Sequence, residues 1–530
     1  MGKQKKMVPF KNEVYNLIVG LAGPYGAGCS SLAEELQRIV NDWPGCVAIK
    51  IHVASLIERI YPFITEDQLH LDKPSRADRR KERQKAGTEL RKKDPELVGK
   101  LICAEIFEQG LKLEKDTDLK GVGTIVFIVD SIKNSNEVTF LRKLHSGEFY
   151  LGFVHADRET RWRRMVDYHG WEQKDRTKFE ERDQVDQDER SRRPGVLDSG
   201  QQVGKLSGMA DYYIVNVENR ERLKEDGERF LGLLFGDSVN QPTIHERSMH
   251  LAFSASNRSF CLSRQVGAAI VDSGGNLVGV GHNDVPKAFG GLYNQETGHD
   301  KRCYLVGDRR CINDTNKEER FDRLEEAIVD KLKLDGNQPN MLKQVLKKSE
   351  FWEATEFCRA VHAEMEAILS VGRIGGGSTK GSTMYVTTQP CHNCTKHIVC
   401  AGLSKVYFME PYPKSLALEL HSDAIELGPK SEAENQEKVM FIPYQGVAPH
   451  RFHDFFMLLN DRKDDTGRYK HRSKESQAVE PKFATLLRRR SRQSEVFDPV
   501  TLEESQTFNE ISKIYREKAG QIKLKGGKHA

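Results

Sequence analysis

"YNLIVGLAGPYGAGCSSLAEELQRIV", residues 15–40, decides the fold of the first part of this 530-residue chain. Tyr15–Leu21 is an apolar run that reads as a strand, and Ser31–Val40 carries apolar residues at helical spacing. Between them Gly23 and Gly28 are separated by four residues, and Ser30 follows two positions on. A strand, a glycine-rich turn and a helix N-terminus gather backbone N–H groups that cradle phosphate without any side chain. Gly23, Gly26, Gly28, Cys29, Ser30 and Ser31 are therefore candidate nucleotide contacts. A working loop of this type places lysine between its last glycine and the hydroxyl residue, and here that residue is Cys29. A thiol does not neutralise the β and γ phosphates, so rate should suffer more than binding. The expectation is a nucleotide-binding or regulatory domain rather than an active kinase. A lysine from elsewhere, such as Lys133, is the alternative.

Four more candidate strands follow at Val47–Val53, Thr124–Asp130, Tyr150–Val154 and Tyr212–Val215, with amphipathic stretches between them. This alternation predicts a parallel, doubly wound sheet. Thr124–Asp130 ends in the acid that presents magnesium in such folds, so Asp130 and Mg2+ join the candidate site. The following Ser131-Ile132-Lys133-Asn134 resembles the acceptor side of nucleoside and nucleotide kinases. Arg158, Arg161, Arg163 and Arg164 lie where those kinases carry a lid, or else form a solvated helix face. Asp72–Asp94 is dense in Lys and Arg and Trp171–Pro194 in both signs, which reads as exposed helices or a mobile lid. LFGDSVNQP, residues 234–242, reads as a connection.

The bulk composition is 38% apolar and 30% charged, with a net charge of +4, which does not argue for a dedicated nucleic-acid binder. No run of eighteen apolar residues occurs, and the charged start MGKQKKMVPFKNEVY lacks a signal-peptide core. A cytoplasmic protein with no membrane partner is expected. Ten cysteines are thinly spread apart from Cys391 and Cys394, which is metal-site usage rather than a disulfide framework.

In the second region a helix is expected at Glu246–Ser256, then strands at Gln265–Asp272 and Asn276–His282. A polar insertion without strands spans 284–350. A helix around Phe351–Leu369, a strand Thr383–Thr388, a helix from Cys391 and a strand Lys405–Met409 complete it. His362-Ala363-Glu364, then twenty-five residues, then Pro390-Cys391-His392-Asn393-Cys394 is the H-x-E…P-C-x-x-C pattern of zinc-dependent nucleobase deaminases. Catalytic zinc takes three protein ligands and keeps a fourth position for water. His362, Cys391 and Cys394 supply the three, with both thiolates at a helix start. Glu364 is left to move protons between water, the ring and the leaving ammonia. A structural zinc would need a fourth ligand. His392 is poorly placed for that, and Cys358 lies one helical turn before His362.

Residues 246–410 thus resemble the cytidine deaminase superfamily, and within it the deoxycytidylate deaminases. The matching pieces are Arg258-Ser259, Gln265–Val271, Gly281–Pro286, His362–Glu364 and Thr388–Cys391. The resemblance implies an α/β/α deaminase domain at 239–460 and gives Asn283 the deoxyribose. His282, Asp284 and Glu366 depart from the usual Tyr, Gly and Asn of the family. Arg258, Arg264 and Lys287 are either phosphate contacts at the pocket mouth or surface charge. Tyr412 either stacks on the pyrimidine or packs in the core. Cys303 and Cys311 bind a second metal or sit in a solvent-exposed loop.

A P-loop kinase-like domain at 1–238, the deaminase-like domain and a basic tail at 461–530 (with Arg488-Arg489-Arg490 and KLKGGKHA) resemble the bacterial anti-phage deoxycytidine nucleotide deaminases. That resemblance implies deamination of free dCTP and dCMP, a second nucleotide at the P-loop, restraint by an inhibitory partner or domain, and a homo-oligomer. Two other readings stay open: a polynucleotide cytosine deaminase, and a non-enzymatic nucleotide sensor with structural zinc.

Overall fold

The computed structural model describes residues 14–483, apart from 66–68, 70–75, 117–121, 188–199, 217–218, 237–239, 297, 350–356, 376, 413–414, 429–436, 459–461, 470–476 and 478–480. The tail beyond 483, with its arginine triplet and KLKGGKHA, lies outside the described residues, as do 72–75, 188–194 and 351–356 of the expected segments. The chain divides into two compact units, residues 1–242 with 445–530, and residues 243–444.

The first unit is built on β1 (Tyr15–Ala22), β2 (Cys46–His52), β3 (Thr124–Ile132), β4 (Phe149–His155) and β5 (Tyr212–Val215). They run parallel in the order β2-β3-β1-β4-β5. Leu17, Val19, Leu21, Val126 and Ile128 are wholly buried, as the continuous apolar runs of a doubly covered parallel sheet require. The loops after β1 and β3 leave the same edge of adjacent strands, which brings Ser30 and Asp130 together.

The expected domain limits fail at the C-terminal side. The described residues between Gln445 and Phe483 belong to the first unit rather than, in part, to a domain ending at 460. The strand Gly446–Val447 pairs antiparallel with β5. Val447, Phe455 and Phe483 then enter the first core, and Phe455 meets Tyr150 edge-on at 5.9 Å. Each such buried side chain contributes about 1.5–3 kcal/mol, more than an exposed tail would recover.

The basic and mixed-charge stretches form helices Arg76–Lys93 and Arg176–Gln187, but neither is simply a solvated face. Arg91 is buried against Glu137, with Nη2 donating to Oε1 at 2.7 Å, and Phe179 lies in an aromatic cluster with Trp162 and Trp171.

In the second unit β6 (Gly267–Val271), β7 (Leu277–His282), β8 (Thr383–Thr388), β9 (Lys405–Glu410), β10 (Ile425–Leu427) and β11 (Val439–Pro443) lie in the order β7-β6-β8-β9-β11-β10. β6 runs antiparallel to both of its neighbours, β7 and β8, and the last four strands are parallel. Two glycines show where the helices lie. A Cβ on Gly267 would sit 1.9 Å from the Ala252 carbonyl of helix Ile244–Ser256, and one on Gly281 would sit 2.3 Å from Ala367 N of helix Ala363–Ile374. Gly281 pairs across the ladder with Ala268, the neighbour of Gly267, so the two helices cover opposite faces of the sheet. The insertion has no named strand among its described residues and holds helices Ile312–Leu332 and Gln338–Lys348.

The helix expected around Phe351–Leu369 begins only at Ala363. Val361 instead makes an isolated bridge to Asp284, its N–H donating to the Asp284 carbonyl at 2.9 Å. Cys358 is therefore not a helical turn before His362. No helix among the described residues is long and apolar enough to cross a membrane.

Candidate active site

His362 is the N-cap of helix Ala363–Ile374, and Cys391 holds the same place before helix His392–Cys400. Cys394 follows in the first turn of the latter. Two helix starts therefore converge, and their positive ends favour ionised thiols. His362 Nδ1 lies 3.2 Å from Cys394 Sγ and 3.6 Å from Cys391 Sγ. All three ligand atoms fall within 4.8 Å of one another, which no other group of His, Cys, Asp or Glu does among the described residues. That spacing suits one zinc ion at about 2.0–2.3 Å from each atom. Neither His392 nor Cys358 belongs to the set, although Cys358 hydrogen-bonds to His362.

The protons in this cluster are shared among its members. Hydrogen bonds from Cys394 and His362 pull the Cys391 thiol far below its ordinary range. Hydrogen bonds to Cys358 and Cys391 hold His362 protonated, while its bond to Cys391 and burial push Cys394 up. A metal bound there displaces these protons. Glu364, two residues on, is 4% exposed, and burial lifts its carboxyl above the usual carboxylate range. A carboxyl that is not a ligand, beside a three-ligand set, can accept and release protons where water would bind.

The cluster opens into a cavity of about 200 Å3 whose wall includes Asn283, Arg264, Gln389, Tyr412 and, from the insertion, Asn313. Tyr412 faces this cavity and also packs on the second core. Its N–H donates to Gln389 Oε1 at 3.0 Å, and the Arg264 guanidinium lies 5.9 Å from its ring centre. Asn283 is a wall residue with both ends of its amide engaged. Its Oδ1 accepts from Val266 N at 2.7 Å and its Nδ2 donates to the Arg264 carbonyl at 2.8 Å. Arg258 is exposed and Lys287 half-buried, and neither lines the cavity. The Arg258 charge instead acts on His282, which burial first and Arg258 second bring down to about 4.

The departures from the usual motif have structural work to do. Asp284 is 1% exposed, accepts from Phe260 N at 3.0 Å and lies 3.5 Å from Arg302 Nη1 of the insertion. It thereby ties the insertion to the end of β7. Glu366 pairs with Arg373. Cys303 and Cys311 are half-buried rather than in a solvent-exposed loop. They line a small adjoining cavity with Cys261 and Cys358, where no trio at metal-ligand spacing forms among the described residues.

In the first unit Gly28, at φ 95°, is the N-cap of helix Cys29–Asn41. A Cβ there would lie 2.3 Å from Asn216 Nδ2, so only glycine fits. The loop's carbonyls are bound from outside: Lys133 Nζ donates to Gly23 O at 2.9 Å, Arg161 to Tyr25 O at 3.0 Å and Arg164 to Ala27 O at 3.0 Å. Arg161 and Arg164 are 4% and 8% exposed, so they are neither a lid nor a solvated face but brace the loop. The helix start has no side-chain cap and no acid in its first turn. Ser30 Oγ donates to Asp130 Oδ2 at 2.9 Å, with Asp130 fully buried, while Ser31 is exposed. The Cys29 thiol turns toward Gly23 and joins the core. Lys133 is aimed by Glu137, whose Oε2 accepts from Lys133 N at 2.9 Å and whose Oε1 takes the Arg91 ion pair. Gly26, at φ 81°, completes the turn.

Residues 242–410 match the family model described as the cytidine and deoxycytidylate deaminase zinc-binding region, and the metal cluster lies inside that span. The deoxycytidylate deaminase of Enterobacteria phage T2 is 28% identical over 178 residues, covering 32% of this chain and 80% of that protein. ComE operon protein 2 of Bacillus subtilis (strain 168) is 38% identical over 92 residues, covering 16% of this chain and 48% of that protein. The solved structure of the Mycobacterium tuberculosis APS kinase CysC with AMPPNP and APS is 14% identical, covers 41% of this chain and 97% of that one, and has a TM-score of 0.22.

Proposed function

We propose that the second unit is a zinc-dependent hydrolase that deaminates free deoxycytidine nucleotides, dCMP and dCTP, and that the first unit binds a second nucleotide as a regulatory ligand. The observation that carries the reading is the three-ligand cluster with buried Glu364 beside it, opening into one cavity. Zinc held by His362, Cys391 and Cys394 supplies a Lewis acid that makes water nucleophilic near neutral pH. Glu364 takes one proton of the attacking water as oxygen adds to C4 and passes it to ring N3, then carries the remaining proton of the C4 hydroxyl to the departing amine. The C4–N4 bond breaks, ammonia leaves and a uracil nucleotide remains. Arg264 presents a guanidinium fork suited to a phosphate, and Tyr412 offers a ring face for the base. The T2 relative's name, deoxycytidylate deaminase, supports the same substrate class. Depletion of these nucleotides in phage defence is the biological role we assign.

Incubating the protein with deoxycytidine, dCMP, dCTP and single-stranded DNA, and weighing the products, tests this reading. Uracil nucleotide and ammonia are expected from dCMP or dCTP. Uracil appearing in the DNA strand alone would overturn the substrate class.

For the first unit, Ser30 and Asp130 hold Mg2+, the loop amides hold phosphate, and Lys133 supplies the cation that Cys29 does not. Lys133→Ala should weaken dCTP or ATP binding about tenfold by calorimetry, the usual worth of a charge-assisted contact. Phosphoryl transfer by the unaltered protein should stay near background. Unchanged affinity would remove Lys133 from the site, and brisk kinase turnover would overturn the regulatory reading.

A further inference from the structure

Tyr412, which offers its ring to the base, stands beyond the reach of the sheet. β9 ends at Glu410, and its last ladder pair with β8 joins Glu410 to Thr388. Two residues later the ladder has ended, so other bonds hold the main chain. Gln389 directly follows β8 and leads through Pro390 to the ligand Cys391. Its N–H donates to the Glu410 carbonyl at 2.8 Å, one step past the ladder. Its side-chain Oε1 then accepts from Tyr412 N at 3.0 Å. The orientation of the amide follows from chemistry, because only its oxygen can receive an N–H.

One glutamine thus holds position 410 with its main chain and position 412 with its side chain, in place of a further strand residue. The corner is closed from its far side as well. Ser415 donates its Oγ to the Pro390 carbonyl at 2.8 Å and its N–H to the Tyr412 carbonyl at 3.0 Å. The segment Gln389-Pro390-Cys391 is therefore bonded to both sides of Tyr412, with a metal ligand at its end. Gln389, Cys391 and Tyr412 all line the catalytic cavity.

Resting on the deaminase reading above, we propose that Gln389 is a positioning residue for the nucleotide: its amide oxygen, bonded to the Tyr412 main chain, holds the Tyr412 ring where it receives the cytosine. A ring already in place does not have to be ordered when the nucleotide arrives, which favours binding. The ring grips the base alike before and during the reaction, so the effect belongs to KM rather than kcat.

The test is a double-mutant cycle on Gln389→Met and Tyr412→Ala in the zinc-loaded full chain, with dCMP as substrate. Methionine keeps the length of the side chain and drops the amide oxygen. Gln389→Met alone should raise KM about tenfold, the scale of one N–H left unpaired, and should change kcat by less than about twofold. Tyr412→Ala should raise KM at least as much. In the Tyr412→Ala background Gln389→Met should add less than about twofold, because no ring is left to place. Losses that multiply, or an unchanged KM in Gln389→Met, would overturn the assignment of Gln389 while leaving deamination standing. Zinc lost from Gln389→Met would overturn it too, because the residue would then serve Cys391. Should the melting temperature show that this variant does not fold, Ser415→Ala carries the same test from the other side of the corner. It should raise KM about threefold alone and add nothing beside Tyr412→Ala, and any other pattern would overturn the proposal. Failure of the unaltered protein to deaminate dCMP would instead bring down the deaminase reading, and this proposal with it.

Discussion

Glu364→Gln is expected to lower kcat for nucleotide deamination by about 10³-fold or more while zinc content stays that of the unaltered protein. Positioned general acid–base groups contribute about 10²–10⁴-fold, and in the proposed mechanism one carboxyl serves successive proton transfers to the ring and to the amine. Glutamine keeps the shape of the side chain and its place in the first turn after His362. It cannot accept the proton of water. Because Glu364 is buried and outside the ligand set, the substitution removes no metal contact and leaves no buried charge. Zinc by atomic absorption and the far-ultraviolet spectrum should therefore be unchanged. A variant that still turned over near the normal rate would remove Glu364 from the chemistry.

Cys394→Ser should cost the metal itself. Cys394 is 2% exposed, sits one turn inside the helix that Cys391 caps, and lies 3.2 Å from the imidazole of His362. The site joins the starts of two helices, so a bound ion ties the helix that crosses β7 to the one that follows β8. Without one thiolate the zinc should wash out on dialysis and deamination should fall below detection. A ligand held at about a thousand times its dissociation constant stabilises by about 4 kcal/mol, so the melting temperature of the second unit should drop by roughly 8 °C or more. Full zinc occupancy in this variant would show that the cluster is not the site.

Much of this architecture is legible in the chain. The five parallel strands of the first sheet are apolar runs because both faces are covered, and H-x-E with P-C-x-x-C is legible because catalytic zinc demands those atoms at that spacing. Other features leave weak local traces. Gly446–Val447 is two residues long, too short for any period, and its partner β5 lies over two hundred positions earlier. The late start of helix Ala363–Ile374 depends on Val361 pairing with Asp284, a contact between distant residues. Arg161 and Arg164 look like surface charge until the loop carbonyls they serve are in place. Lys133 can be singled out in the sequence as a candidate cation, but its contact with the Gly23 carbonyl depends on Glu137 and, through it, on Arg91.

The return of residues 445–483 to the first sheet also sets an order in time. During synthesis β1 to β5 leave the ribosome first, yet the strand that covers the edge of β5 and the rings of Phe455 and Phe483 emerge only after all of residues 243–444. Domains generally fold as they emerge, and exposed strand edges invite mispairing meanwhile. The unit that holds the Gly23–Gly28 turn therefore waits, one edge bare, until its neighbour has been translated. A nascent chain stopped before Gln445 would carry the second unit entire but the first one unfinished.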